Sequence, residues 1–100
     1  MEYMHEWYPA TTALFQIGKP ALPALLDVLA AETSPVVRQK ALETLMDISR
    51  EDPVSGVKLM RDSAATRRGK AAQARLLDAA RKSVNLCRPS VRPQCEAALP

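Results

Sequence analysis

Twice in this chain a short side chain that accepts a backbone hydrogen bond stands directly before a proline, at Ser34 and Pro35 and again at Asp52 and Pro53. A Ser or Asp oxygen takes one of the free amides that open a helix. A proline just after it presets φ and lacks an N–H that the first turn leaves unpaired anyway. Pro9 and Pro20 open segments in the same way, and Gly18 and the run Arg67, Arg68, Gly69 read as stops or turns. Punctuation this frequent excludes one long helix and leaves a series of short ones.

The segments between these marks carry helical apolar spacing. The first runs from Pro9 to Gly18 on Ala13, Leu14 and Ile17. The second covers about 20–31, with Leu22, Leu25, Leu26 and Leu29 in the i, i+3, i+4, i+7 relation of one helix face. A third reaches from Pro35 to about Ser49 and turns Val37, Ala41, Leu42, Leu45 and Ile48 inward. A fourth starts at Pro53 on Val54, Val57, Met60 and Ala64, weakened by Ser55, Gly56 and Ser63. A fifth covers about 70–86 on Ala72, Leu76, Leu77, Ala80 and Val84, with Asp78 and Lys82 as a favourable i, i+4 pair. Pro89, Pro93 and Pro100, with Arg88 and Arg92 each directly before one of them, predict an extended tail over 87–100.

Composition narrows the class. The hydrophobic share is 47% but aromatics are only 4%, so the core must be built from small and medium aliphatic side chains. That favours closely stacked helices over a β-sandwich, which needs alternating β-branched and aromatic residues. One hundred residues suffice for a single core that buries roughly 65% of the unfolded surface. The apolar runs, broken by Asp27, fall short of the ~20 residues of a membrane span, and Met1 to Tyr8 carry no basic stretch of a secretory signal. The expected class is all-α, with no membrane partner.

The helical stripes also recur. A shift of 35 residues carries Val37, Ala41, Leu42 and Leu45 onto Ala72, Leu76, Leu77 and Ala80. A shift of 28 in the other direction carries Ala41, Leu42 and Leu45 onto Ala13, Leu14 and Ile17. A unit of two helices near this length marks a helical solenoid, in which each hairpin needs a neighbour to cover its apolar face.

Within Ala13 to Ile48, the segments Ala-Leu-Phe-Gln-Ile-Gly, Pro-Ala-Leu-Pro-Ala-Leu-Leu-Asp-Val-Leu and Val-Val-Arg-Gln-Lys-Ala-Leu-Glu-Thr-Leu resemble HEAT repeats, particularly their short bacterial form. Glu32, Ser34, Pro35, Val37, Arg38, Ala41, Leu42 and Leu45 occupy matching positions. The likeness covers residues 13–50; over 53–86 the Val-Arg pair becomes Ala72 and Gln73, as in a degenerate capping repeat. The resemblance implies a short right-handed helical-hairpin solenoid of about five helices over residues 1–86, the C-terminal part of a longer HEAT-repeat protein. At the other end, Tyr3, Met4, Trp7 and Tyr8 either cover the end of the stack or face a partner.

Chemistry-bearing motifs are missing. His5 is the only histidine and has no ligand neighbours at metal spacing, Lys19 after Gly18 is no phosphate loop, and no triad can be composed. The expectation is no catalytic, cofactor or metal site. Cys87 and Cys95, eight apart, match no zinc or redox signature. They are either free thiols, one buried at a helix end, or a small disulfide loop. The reduced form is favoured and with it a cytoplasmic location, while pairing would point outside the cytoplasm.

Charge supplies the remaining signal. Residues 1–53 hold four Lys and Arg against eight Asp and Glu, a net of −4; residues 54–100 hold ten against three, a net of +7. Three function classes follow. The first, implied by the HEAT resemblance because that family's inner helices usually line a concave surface, is a protein-binding or scaffold module with another protein as partner, its exposed inner-helix positions including Arg38, Glu43 and Asp47. The second is binding of nucleic acid or another polyanion through Arg67, Arg68, Lys70, Arg75 and Lys82. With no aromatic after Phe15, that mode would grip backbone without base stacking. The third is an enzyme subunit of the lyase-associated HEAT kind.

Overall fold

The computed structural model describes residues 13–100. Readings that fall on residues 1–12, including the Pro9 start and the roles of His5, Trp7 and Tyr8, lie outside them. The described residues are helical without strands. Helix α1 is seen over 13–17, followed by a 3₁₀ turn at Lys19–Ala21 and helices α2 (Leu22–Ala31), α3 (Pro35–Ile48), α4 (Pro53–Thr66) and α5 (Lys70–Ser83). A second 3₁₀ turn, Val84–Leu86, leads towards α6 (Arg92–Ala97).

The cap-and-proline pairs act as their chemistry requires. Ser34 Oγ accepts from the Val37 amide at 3.4 Å, and Asp52 Oδ1 accepts from the Ser55 amide at 3.3 Å while Oδ2 accepts from its hydroxyl at 2.6 Å. The Ser55 hydroxyl, then the Ser55 amide, hold the Asp52 carboxyl below the usual carboxylate range. Between α4 and α5 the chain turns on Gly69, whose φ of +90° lies in the region side chains avoid.

The helices pack α4 on α5, α5 on α2 and α2 on α3, so that α5 lies in the middle and touches all three neighbours. Leu25, Leu29, Ala41, Leu45, Val57, Met60, Leu76 and Ala80 fill the shared core and are buried. The 35-residue correspondence holds in burial at two places: Ala41 and Leu76, and Leu45 and Ala80, are all fully enclosed. Leu77 and Ala72 are only half-buried, packed against the edge of the core. A radius of gyration of 12.7 Å is that of a compact body of about 100 residues. Gly56, read above as a weak point of its helix, is buried where α4 crosses α3; a Cβ there would stand 3.0 Å from Met46 Sδ and 3.2 Å from Ser49 Cβ. Its lack of a side chain allows the close crossing.

Three expectations need correction. Ile17, placed in the core stripe, is 57% exposed, and Phe15 beside it is 43% exposed. The segment 87–100 is not an extended tail: α6 packs on α4 and buries Cys95 and Ala98, with Arg61 Nη1 donating to Ala98 O at 3.0 Å. Pro93 sits in the first turn of α6, where proline is tolerated, so it starts a helix instead of preventing one. Of the two states left open for the cysteines, with the reduced form favoured, the structure has the other: Cys87 and Cys95 stand at disulfide distance, both buried.

Candidate functional site

The chemistry of a binding surface must come from polar groups that folding has not already consumed, so the basic half is best read donor by donor. A helix leaves its last carbonyls without amide partners, and a guanidinium is a strong donor for them. Arg75 of α5 donates to Ala30 O, near the end of α2, at 3.0 Å. Arg88 donates to Arg50 O, just past α3, at 2.8 Å, and Arg92 donates to Cys87 O at 3.1 Å. Arg67 pairs with Asp27 at 2.7 Å, tying the turn after α4 to α2, and Lys82 pairs with Asp78 at 3.0 Å on α5. Of the five residues proposed to grip a polyanion, Arg67, Arg75 and Lys82 therefore have internal partners, and the exposed Arg68 and Lys70 stand apart at the start of α5. Lys70 lies about 120–140° round the helix from Arg75 and Lys82, given 100° per residue. One continuous phosphate-tracking face is not formed.

The structure redistributes the other set too. Glu43 accepts from Gln39 Nε2 at 3.1 Å and pairs with Lys40 at 3.6 Å; with Asp47 it lines a hollow of ≈ 180 Å³ beside Met46, Arg50, Leu86 and Arg88. Asp47 also borders a groove of ≈ 570 Å³ whose apolar lining is Phe15, Leu22, Ile48 and Leu59. Arg38 is on a different side. It faces α5, where Arg38, Gln39 and Leu42 of α3 meet Arg75, Asp78, Ala79 and Lys82 around a hollow of ≈ 20 Å³.

This α3–α5 cleft joins Arg38, from the first set, to Arg75 and Lys82, from the second. Three cations surround one carboxylate. The Arg38 Nε is shut off from solvent and has no hydrogen-bond partner among the described residues, as is also true of the Arg92 Nε. No family model matches the chain, and no match was found among curated proteins or solved structures. The site must be read from its own geometry.

That geometry was only partly visible in the sequence. Arg75, Asp78, Ala79 and Lys82 share one side of α5 by their spacing, but nothing local says that this side meets Arg38. No group of three His, Cys, Asp or Glu side chains among the described residues is placed to hold a metal, and no described helix is long and apolar enough to cross a membrane.

Proposed function

We propose that this chain is a non-enzymatic protein-interaction module built from HEAT-like helical hairpins. The observation that carries the reading is the fate of its cations. Arg67 and Lys82 pair with carboxylates, and Arg75, Arg88 and Arg92 serve helix-end and loop carbonyls, so five of the ten Lys and Arg in residues 54–100 also hold the fold together. What remains for a partner are exposed apolar side chains such as Phe15, Ile17, Val36 and Leu86, with Phe15 bordering the groove it shares with Leu22, Ile48 and Leu59. Exposed large apolar groups near polar ones are the usual ingredients of a protein contact. The HEAT relationship itself is supported by the Ala13 to Ile48 pattern and by the helix-turn-helix order. The close packing of α2 on α5, between the first helix of one hairpin and the second helix of the next, departs from like-on-like stacking.

The buried Cys87–Cys95 pair supports a working compartment outside the reducing cytoplasm, where such bonds persist. Two measurements test the function together. Crosslinking of the tagged chain in its native cells, followed by mass spectrometry, is expected to recover a protein partner attached through residues of α3 or α5. Titration against duplex DNA and RNA is expected to show no saturable binding even at low salt. Tight binding that falls steeply with salt, by counterion release, would transfer the function to the polyanion reading centred on Arg68 and Lys70.

A further inference from the structure

We infer that the groove bounded by α1, α2, the end of α3 and α4 is an aromatic-binding site, and that its occupant is this chain's own N-terminal segment, residues 1–12, anchored by Trp7 and Tyr8. The inference does not depend on the interaction-module reading: whichever partner binds, it meets a groove that is already filled. Each of the four helices gives the groove one apolar side chain, Phe15, Leu22, Ile48 and Leu59, and Phe15 is 43% exposed on its wall. The volume of ≈ 570 Å³ falls within the roughly 300–1,000 Å³ of true binding clefts. By contrast, the ≈ 20 Å³ hollow between α3 and α5 has space for about one water.

The chain carries a source for the missing apolar contacts directly before α1. Tyr3, Trp7 and Tyr8 are three of its four aromatics, the fourth being Phe15 itself. Aromatic side chains bury roughly 150–250 Å² each, so they gain most from an apolar cleft of this size. The tether decides between occupants. Trp7 stands eight residues before Phe15, a stretch of about 12 Å as helix and up to about 26 Å when extended, so it can fold back over α1 into the groove. A short tether holds its end at an effective concentration on the order of 1 mM, about 100-fold above a second copy or a partner segment present at ~10 μM. Charge offers no competing preference. The rim mixes Lys19 and Arg50 with Asp47, Glu51 and Asp52, a set that does not suit a polyanion.

Trp7 is the only tryptophan, so the intrinsic fluorescence of the full chain reports this segment alone. Its emission is expected at shorter wavelength than that of a free peptide of residues 1–12, with acrylamide quenching reduced several-fold, both unchanged on dilution of a monomeric protein. Phe15→Asp puts a charge on the groove wall at an exposed position, and Leu59→Gln removes apolar contact from α4, far from Trp7 in sequence. Phe15→Asp is expected to lower the ratio of seated to released segment about 100-fold and Leu59→Gln about tenfold, moving emission and quenching towards those of the peptide. Val36→Ala, at an exposed apolar side chain outside the groove, is expected to change neither. Circular dichroism checks the fold of each variant, and Phe15→Asp alone carries the test should Leu59→Gln lose its helical signal. Emission and quenching equal to those of the free peptide overturn the inference, as does a blue shift that Phe15→Asp leaves in place. A blue shift that fades on dilution together with a dimer also overturns it, by making a second copy the occupant.

Discussion

Replacing Arg75 separates a structural role from a binding role in the basic half of the chain. Its Nη1 lies 3.0 Å from the carbonyl oxygen of Ala30, in the last turn of α2. Continuing the helix would pair that carbonyl with the amide of residue 34, but the Ser34 amide instead donates to Glu32 Oε1 at 3.0 Å. Ala30 is only 2% exposed, so water is a poor substitute. Hydrogen bonds to charged groups contribute about 1.5–3 kcal/mol, and a buried acceptor left alone costs a similar amount. Arg75→Met keeps most of the apolar stem and removes the donor, so it is expected to destabilise the fold by about 2 kcal/mol, the middle of that range. For a domain of this size, that lowers the melting temperature by roughly 8–16 °C. Arg68→Met, at an exposed position outside these contacts, is expected to stay within about 0.5 kcal/mol of wild type. Thermal and urea unfolding followed by circular dichroism measure both. An Arg75→Met protein that melts with the wild type, or an Arg68→Met protein that falls equally far, would refute the reasoning. Charge reversal at Arg75 is for the same reason a poor probe of polyanion binding, since it disturbs α2 as well as the surface.

Three further outcomes are expected. Gly56→Ala should gain little or none of the roughly 1 kcal/mol of helix propensity it offers, because its Cβ would press on Met46 and Ser49, and Gly56→Val should destabilise by about 1–3 kcal/mol; a fully stabilising Ala in urea melts would contradict the close α3–α4 crossing. Without reductant the intact mass should be two hydrogens below that of the reduced chain, and reduction should cost about 2.5 kcal/mol through the entropy of the short loop between Cys87 and Cys95, with faster amide exchange over Arg92–Ala97; complete alkylation of the freshly isolated, denatured protein would argue against the pair. Asp52, whose carboxyl Ser55 holds below its ordinary range, stabilises the start of α4 above the unfolded carboxylate pKa of about 3.9, and that contribution is lost as pH falls through its lower folded value. The protection of the Ser55 amide relative to its intrinsic exchange rate should therefore fall in acid in the wild type but not in Asp52→Asn; equal pH dependence in the two would remove Asp52 as the cause.

The sequence by itself determined the helices. Proline, cap residue and glycine act on the backbone within a turn of where they stand, so Ser34–Pro35, Asp52–Pro53 and Gly69 mark α3, α4 and α5 almost to the residue. Apolar periodicity, equally local, named most of the core, though it missed Met46 and Thr44 on α3 and misplaced Ile17, whose burial depends on what α1 meets. Proline-rich composition suggested an extended tail because no local rule says that Cys95 and Ala98 find α4. Tertiary structure decided everything that needs two distant segments: the diagonal packing of α2 on α5, the Cys87–Cys95 pair, the purpose of Gly56, and the destinations of the arginines. A cation looks alike in sequence whether it faces solvent, a carboxylate or the end of a helix. Only the fold brings Ala30 to Arg75 and Asp27 to Arg67, and leaves Arg38 beside α5 with a donor unfilled.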